Sequence, residues 1–474
     1  MDVIEIMNQL LPILPIALAI ALVIIGILYV CYAFYKKRGG NKKITISQVV
    51  TLFILVGWFA VVLGLTTLNR GAFFDNYINL RLFSDYVNAW HQWSLSELQL
   101  IIFNMLMFAP LGFLLPLLSK KIRSFRTVFC ISLIVTLGIE LIQLFTNRGI
   151  FELNDILHNT IGSIAGYFLV SAILDSIKLR KITVKAVFMA LCIPLFFALL
   201  FSSALIIYHS KELGNLSIRP AVPQFMKQMD VQLNKQLPTN ADSVSLYYNN
   251  QIHNLKYGEE MAALMERSFN LKQKGRMRIE GFNRSWTYMD ADDNEYIFNY
   301  GLSDGGWQFY RKDHELHSME QDDLEKHGTH YENWMLSNNI LSTDAIFTVQ
   351  NEETIRWDIE QDTKNILHKQ ADFSEGFVIL NPSKERQIPL DLFYSMNESV
   401  YLHQVNIISP AEAYENILKG KFTIYNNLVA GDQLNVTEYE LDYMYDSKGY
   451  YQPVYRFIGL LNGEDWEVLV PAID

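Results

Sequence analysis

The sequence predicts a protein in two parts. Six transmembrane helices come first, and a soluble extracytoplasmic domain of α+β class follows. Three observations carry this reading. Six long apolar runs lie within residues 10–208 of the 474. The charge balance changes sign where they end: residues 1–208 hold 16 basic and 9 acidic side chains, whereas residues 209–474 hold 23 and 41. Beyond that point, period-2 alternation and a well-capped helix replace continuous apolar sequence. The acidic second half argues against nucleic acid as a partner, because phosphate contacts need clustered Lys and Arg.

An apolar run of about 18 or more residues with few charges is a candidate span. The runs are 10–35, 49–68, 98–118, 127–145, 156–174 and 186–208. The first is no secretory signal peptide by this reading. Its leading flank, "MDVIEIMNQ", is acidic where a signal peptide is basic. Orientation follows from basic residues in short loops. Lys36, Lys37, Arg38, Lys42 and Lys43 follow the first span, Lys120, Lys121, Arg123 and Arg126 the third, and Lys178, Arg180, Lys181 and Lys185 the fifth. These three loops are expected in the cytoplasm of a multi-pass plasma-membrane protein. Both termini and residues 209–474 are then expected outside. Cys31, Cys130 and Cys192 all fall in spans and read as small buried apolar residues. The exported part has no cysteine and must fold without disulfides.

The expected domains are an N-terminal helix with its basic loop (1–48), a helical membrane domain (49–208), a stalk (209–235) and the exported domain (236–474). The stalk reading rests on "SIRPAVPQFMKQ", where Pro220 and Pro223 break any long helix.

Residues 139–167, "IELIQLFTNRGIFELNDILHNTIGSIAGY", are mostly apolar yet carry Glu140, Gln143, Arg148, Glu152, Asp155, His158 and Asn159. Residues three or four apart share a helix face, so Glu140, Gln143 and Asn147 are expected to stack along the fourth span. Asp155, Asn159, Gly162 and Gly166 form a stripe along the fifth that passes from polar to small. Small residues let helix backbones approach, and polar ones hydrogen-bond across. The third span adds Asn104, with Pro110 as a kink and Gly112 beside it. At about 1.5 Å per residue, Asn104, Glu140 and Asn159 lie roughly 5–9 Å inside the outer surface. Arg148, Glu152 and Asp155 would cap them from the short loop. The expectation is a polar cluster open outward that binds a lipid or a lipid-linked headgroup. The alternative is a network, including a Glu140–Arg148 pair, that only holds helices in register. Glu140 and Asp155 could also serve as acid and base. No His or metal-ligand pattern completes such a pair, so a binder is favoured over an enzyme, with no metal and no cofactor expected.

"FNMLMFAPLGFLLP", "IELIQ" and "RGIFELNDILHNTIGSIAGY" together resemble the VanZ-like family of bacterial membrane proteins, over about residues 50–175. The matching positions are Asn104, Pro110, Gly112, Glu140, Gln143, Arg148, Asp155, Asn159, Gly162 and Gly166. The resemblance implies a cell-envelope protein of Gram-positive bacteria. The family's name-giving member confers low-level resistance to teicoplanin, so a glycopeptide antibiotic or a lipid-linked cell-wall precursor joins membrane lipids as an expected partner.

In the exported part, "VSLYYNN", "YIFNYGL" and "WQFYRK" read as strands, and "DADDNE" as a hairpin turn that lacks the Gly and distant Glu of a calcium loop. "SPAEAYENILKG" reads as a helix capped by Ser409, Pro410 and Glu412 and stopped by Gly420. Strands "TEYELDYMY", "PVYRFIGLL" and "WEVLVPAI" then form a meander. This end resembles PepSY or YycH/YycI-type exported modules, which implies an envelope-protein partner or a sensing role. His314, His317, His327 and His330 have H-x2-H spacing, but read as solvent-facing histidines in a polar loop. The two alternatives to a binder are a membrane enzyme acting on polyprenyl or phospholipid substrates, and an extracytoplasmic regulator of a signalling partner.

Overall fold

The computed structural model describes residues 3–68, 78–93, 95–218, 226, 229–313, 315–384, 386–422, 428 and 430–473. The chain divides into two compact units, Met1–Lys211 and Glu212–Asp474.

The first unit is helical: α1 (Val3–Lys37), α2 (Ile46–Leu63), α3 (Ser84–Gln92), α4 (Leu95–Leu118), α5 (Phe125–Thr146), α6 (Leu153–Leu179) and α7 (Val184–Ser210). All except α3 are long and apolar enough to cross a membrane. Many of their large apolar side chains, such as Ile16, Leu106, Phe145 and Leu199, are exposed, as lipid contact requires. Sequence signals set the helix ends. Thr45 and Gln48 form a capping box on α2, and Ser124 and Thr183 cap α5 and α7 through their hydroxyls. Asn147 ends α5 in the left-handed conformation, φ 53°. It therefore leaves the helical path and does not extend the Glu140–Gln143 stripe, which corrects the expected three-residue stack. The amphipathic α3, with Ser84 and Ala89 buried, is an element the apolar runs did not disclose.

Glycines let α4 and α6 meet. A Cβ at Gly112 would overlap the Ser163 carbonyl, one at Gly162 the Met105 carbonyl, and one at Gly166 the Ala109 carbonyl. Such approach is open only to residues without a side chain. The Trp58 indole of α2 donates to the Met107 carbonyl of α4 (2.7 Å), one turn before Pro110. Ser132 of α5 and Ser163 of α6 share a hydrogen bond of 2.6 Å.

In the second unit the described strands form one large sheet with helices, the α+β class expected. Its organising element is the long strand Asp391–Ile407. Residues 391–399 pair with Phe373–Asn381, and 391–394 also with Trp307–Arg311; residues 400–407 pair with Asp242–Tyr248 past a bulge between Tyr401 and His403. Each half has its own core. One surrounds Trp357, Phe298 and Phe309 and takes Met265 and Met335 from helices Leu255–Ser268 and Gln321–Ser337. The other surrounds Phe457, Phe422 and Trp466 and takes Ala413 and Ile417 from Pro410–Leu418.

The terminal helix has the Ser409–Glu412 capping box with Pro410 in its first turn. The meander is Gln433–Tyr445, Tyr450–Leu461 and Glu464–Pro471, all antiparallel, with Gly449 (φ 90°) and Asn462–Gly463 (φ 53° and 88°) in the turns. "DADDNE" is the turn between Asn283–Met289 and Glu295–Gly301, tied by Asp290 accepting from the Asp292 and Asn294 amides.

Two expectations need correction. The described parts of 209–235 do not stand apart as a stalk. The Gly214 N–H donates to Asp446 (2.5 Å), Leu216 and Ile218 are buried with Val454, and Asp230–Leu233 adds a parallel strand to Gln433–Tyr445. Burying Leu216 and Ile218 is worth about 1.5–3 kcal/mol each, enough to hold the segment down. Pro220 and Pro223 lie outside the described residues. The second correction concerns the histidines. His327 and His330 lie on helix Gln321–Ser337, not in a loop, because Leu324, Gly328, Tyr331 and Met335 supply a buried face at helical spacing. His317 is exposed before that helix, and His314 lies outside the described residues.

Candidate functional site

The polar groups of the first unit gather where α5 ends and α6 begins, at the end of the bundle opposite the three basic loops. The short connection from α5 folds back as Phe151–Glu152, which pairs in parallel with Ile78–Asn79. This brings the segment before α3 over the start of α6. Asn79 then donates from Nδ2 to Glu152 Oε1 (3.1 Å).

Glu140 is almost wholly buried, at 1 % exposure. Its Oε2 accepts from the Glu152 backbone N–H at 3.0 Å. Glu152 is the N-cap of α6, so the carboxylate faces the helix end whose unpaired N–H groups and dipole favour negative charge. Asp155 lies in the first turn of the same helix and accepts from Asn104 Nδ2 of α4 at 2.6 Å. That bond is reachable because Gly162 and Gly166 bring α4 close. Asn159 donates to Thr136 Oγ1 of α5 at 3.0 Å, and its Oδ1 is buried without a partner.

Gln143 turns away from this group. Its Nε2 donates to the Thr66 carbonyl at 2.8 Å, in the π-helical turn Gly64–Leu68 that continues α2, and its Oε1 is buried and unpartnered. Arg148 is half-buried in the reversal after α5, where its N–H closes on the Gln143 carbonyl (3.1 Å). The structure thus joins Asn104 to Asp155 and Glu140 to Glu152. It ties Asn159 and Gln143 to partners the sequence did not nominate.

A further set of residues was given no site role by the sequence. Asn154, fully buried, is a hub: its Nδ2 donates to Ser84 Oγ (2.6 Å) and Asp85 Oδ1 (2.7 Å), and its Oδ1 accepts from the Phe83 N–H (2.7 Å). It fastens α3 to α6. His158 is also fully buried, with Nδ1 3.8 Å from Asp85 Oδ2 and the Tyr86 ring edge-on at 5.3 Å. The signal available for Asn154 and His158 was their place in the polar stretch 139–167. Asp85 lies some seventy positions earlier in a short helix and had none. The histidines His317, His327 and His330 of the second unit form no metal-ligating group among the described residues.

These features define a polytopic helical membrane domain with a buried polar cluster at one end of its bundle. Residues 24–175 match the model of the VanZ/LLP1 family, so the chain carries a VanZ-like membrane domain. The match begins earlier than the motifs alone suggested, and takes in the second half of α1 and its basic loop. Among solved structures, the C-terminal domain of YpeB from Bacillus megaterium is similar at 14 % identity and a TM-score of 0.22, covering 45 % of this chain and 92 % of that one. An uncharacterized protein from Eubacterium rectale is similar at 11 % identity and a TM-score of 0.21, covering 53 % and 91 %. No curated protein matches the chain.

Proposed function

We propose that this VanZ-domain protein binds a lipid or lipid-linked headgroup of the bacterial cell envelope at the Asn104–Glu140–Asp155–Asn159 cluster. One observation carries the reading: the buried acceptor Asn159 Oδ1 of the cluster has no hydrogen-bond partner inside a span. Such atoms are costly in a bilayer unless something donates to them. Hydroxyl or amino groups of a headgroup supply those donors, and Glu140, Glu152 and Asp155 favour the same chemistry. Arg148 is the residue suited to a phosphate or carboxylate on the same ligand, because its planar fork can bind two oxygens at once. A glycopeptide antibiotic, with low-level resistance as the outcome, belongs to the same class of donor-rich ligand.

The test is the lipid retained by the full chain purified in mild detergent. One lipid class should be enriched over its share of the membrane. Glu140→Gln should weaken retention without abolishing it, since a binder keeps its other contacts. Arg148→Lys should lower retention nearly as far as Arg148→Ala, by roughly tenfold, the scale of a lost charge-assisted hydrogen bond. Unselective lipid in the wild type would sink the proposal. Full retention by Arg148→Lys would remove Arg148 from the site.

The basic loops after α1, α4 and α6 support an orientation with the cluster, both termini and residues 212–474 outside. Protease added to intact protoplasts should then release a soluble fragment of the second unit. A fragment released only after lysis means the opposite orientation.

A further inference from the structure

Asp85 and Asp155 each present a carboxylate oxygen, and His158 a ring nitrogen, within 4.8 Å of one another. Among the described residues no other group of His, Cys, Asp and Glu does this. Two acids near a histidine would mean little alone. The informative feature is His158: it is 0 % exposed, and neither of its ring nitrogens has a hydrogen-bond partner. A buried imidazole with both nitrogens unbonded is unfavourable, and native interiors seldom keep one.

The surroundings are arranged as second-sphere partners of a metal site are. Asp85 Oδ1 is held by Asn154 Nδ2 (2.7 Å) and Ser84 Oγ (3.2 Å), while its Oδ2 faces His158 Nδ1 at 3.8 Å. Asp155 Oδ1 is held by Asn104 Nδ2 at 2.6 Å. Each carboxylate is thus held in place by a side-chain amide, Asp85 by Asn154 and Asp155 by Asn104. Such outer contacts fix ligand direction ahead of binding. The edge-on Tyr86 ring restrains the imidazole.

We propose that Asp85, Asp155 and His158 bind a divalent first-row metal ion, with zinc the best fit. One nitrogen and two carboxylate donors suit zinc or manganese rather than magnesium or calcium, which take all-oxygen shells. Donors around a tetrahedral zinc stand roughly 3.4 Å apart at the usual bond lengths, so small side-chain rotations bring these three into place. Three protein ligands leave the fourth position for water or an oxygen of a bound molecule. The site joins α3 to α6, so the metal would also fasten the short helix. It shares Asp155 and its Asn104 contact with the headgroup reading but is tested separately, because its readout is metal uptake and not lipid retention.

The experiment uses the full chain in detergent, stripped with a chelator and then titrated with zinc and with manganese. The wild type should take up about one zinc per chain. Asp85→Asn and His158→Gln should lose stoichiometric binding. Asn104→Ala, which removes only an outer contact, should weaken binding roughly 10–100-fold. Replacing His327 and His330 together with glutamine should change nothing, which separates the site from adventitious surface binding. A monodisperse wild type that takes up no zinc overturns the proposal, as does stoichiometric binding that persists in His158→Gln. In either case His158 and Asp85 are neighbours that hold no metal. Should the ligand variants fail to fold, cobalt added to the wild type decides. Visible absorption bands of a nitrogen–oxygen site support the proposal, and their absence at stoichiometric cobalt overturns it.

Discussion

Gly162→Val is expected to leave no correctly folded membrane unit. The Cβ of any residue at this position would overlap the Met105 carbonyl of α4, which is backbone and cannot swing aside as a side chain would. The same holds at Gly166 against Ala109 and at Gly112 against Ser163, so the two helices cannot slide to relieve one clash without meeting another. Separating them would break the Asn104–Asp155 bond and loosen the apolar packing of Phe108, Leu111 and Leu115. Overpacking usually costs about 1–3 kcal/mol where side chains can yield. With rigid backbone on both sides the cost should exceed about 4 kcal/mol. In detergent gel filtration the variant should aggregate. Gly138→Val is the control: a Cβ there meets nothing within 4 Å, and that variant should elute as the wild type does. A monodisperse Gly162→Val protein of unchanged thermal stability would show that α4 and α6 are not in backbone contact.

Asn154→Leu should be the most damaging change at the polar end. Leucine keeps much of the volume but cannot replace either donor or the acceptor. It strands the Phe83 N–H and takes one donor each from the Ser84 hydroxyl and the Asp85 carboxylate, in a poorly hydrated position. Each unsatisfied buried group costs about 1–3 kcal/mol, so the total should reach about 3–5 kcal/mol. The loss should be local first, with α3 detaching from α6 while the long helices persist. Hydrogen exchange should reveal it as rapid exchange across Ser84–Gln92, with α5 and the second half of α6 still protected. Protection of α3 equal to that in the wild type would mean that Asn154 is not its anchor.

Why Asn154 was overlooked and Gly162 was not is a matter of range. Gly162 and Gly166 stand four apart beside polar residues on the same face, and helical periodicity alone makes them a packing stripe. Asn154 is one polar residue among several at a helix start. Its weight comes from partners about seventy residues away, which no local pattern records. The same holds for His158 and Asp85. Asn147 is an instructive middle case. Its type suits both a helix face and a left-handed cap, and the reversal into Phe151–Glu152 selected the cap. In the second unit, the buried face of helix Gln321–Ser337 was legible at helical spacing, yet it was obscured by the charged residues between its apolar positions.

By itself the sequence determined the class of each part: six spanning helices, and an α+β domain ending in a capped helix and a meander. These follow from local causes. Lipid solvates only apolar side chains over a fixed length, and caps, turns and alternation act within a few residues. It also led to the expectation that polar groups of three helices lie near one depth, because helical rise converts position directly into distance. Only the tertiary structure decided which groups meet: that Glu140 faces the start of α6, that Gln143 reaches the π-helical turn after α2, and that α3 carries Asp85 to His158. It likewise decided that residues beyond Lys211 join the second unit's sheet. Those outcomes depend on backbone approach at glycines and on pairing across long stretches of chain, and neither leaves a periodic trace in the sequence.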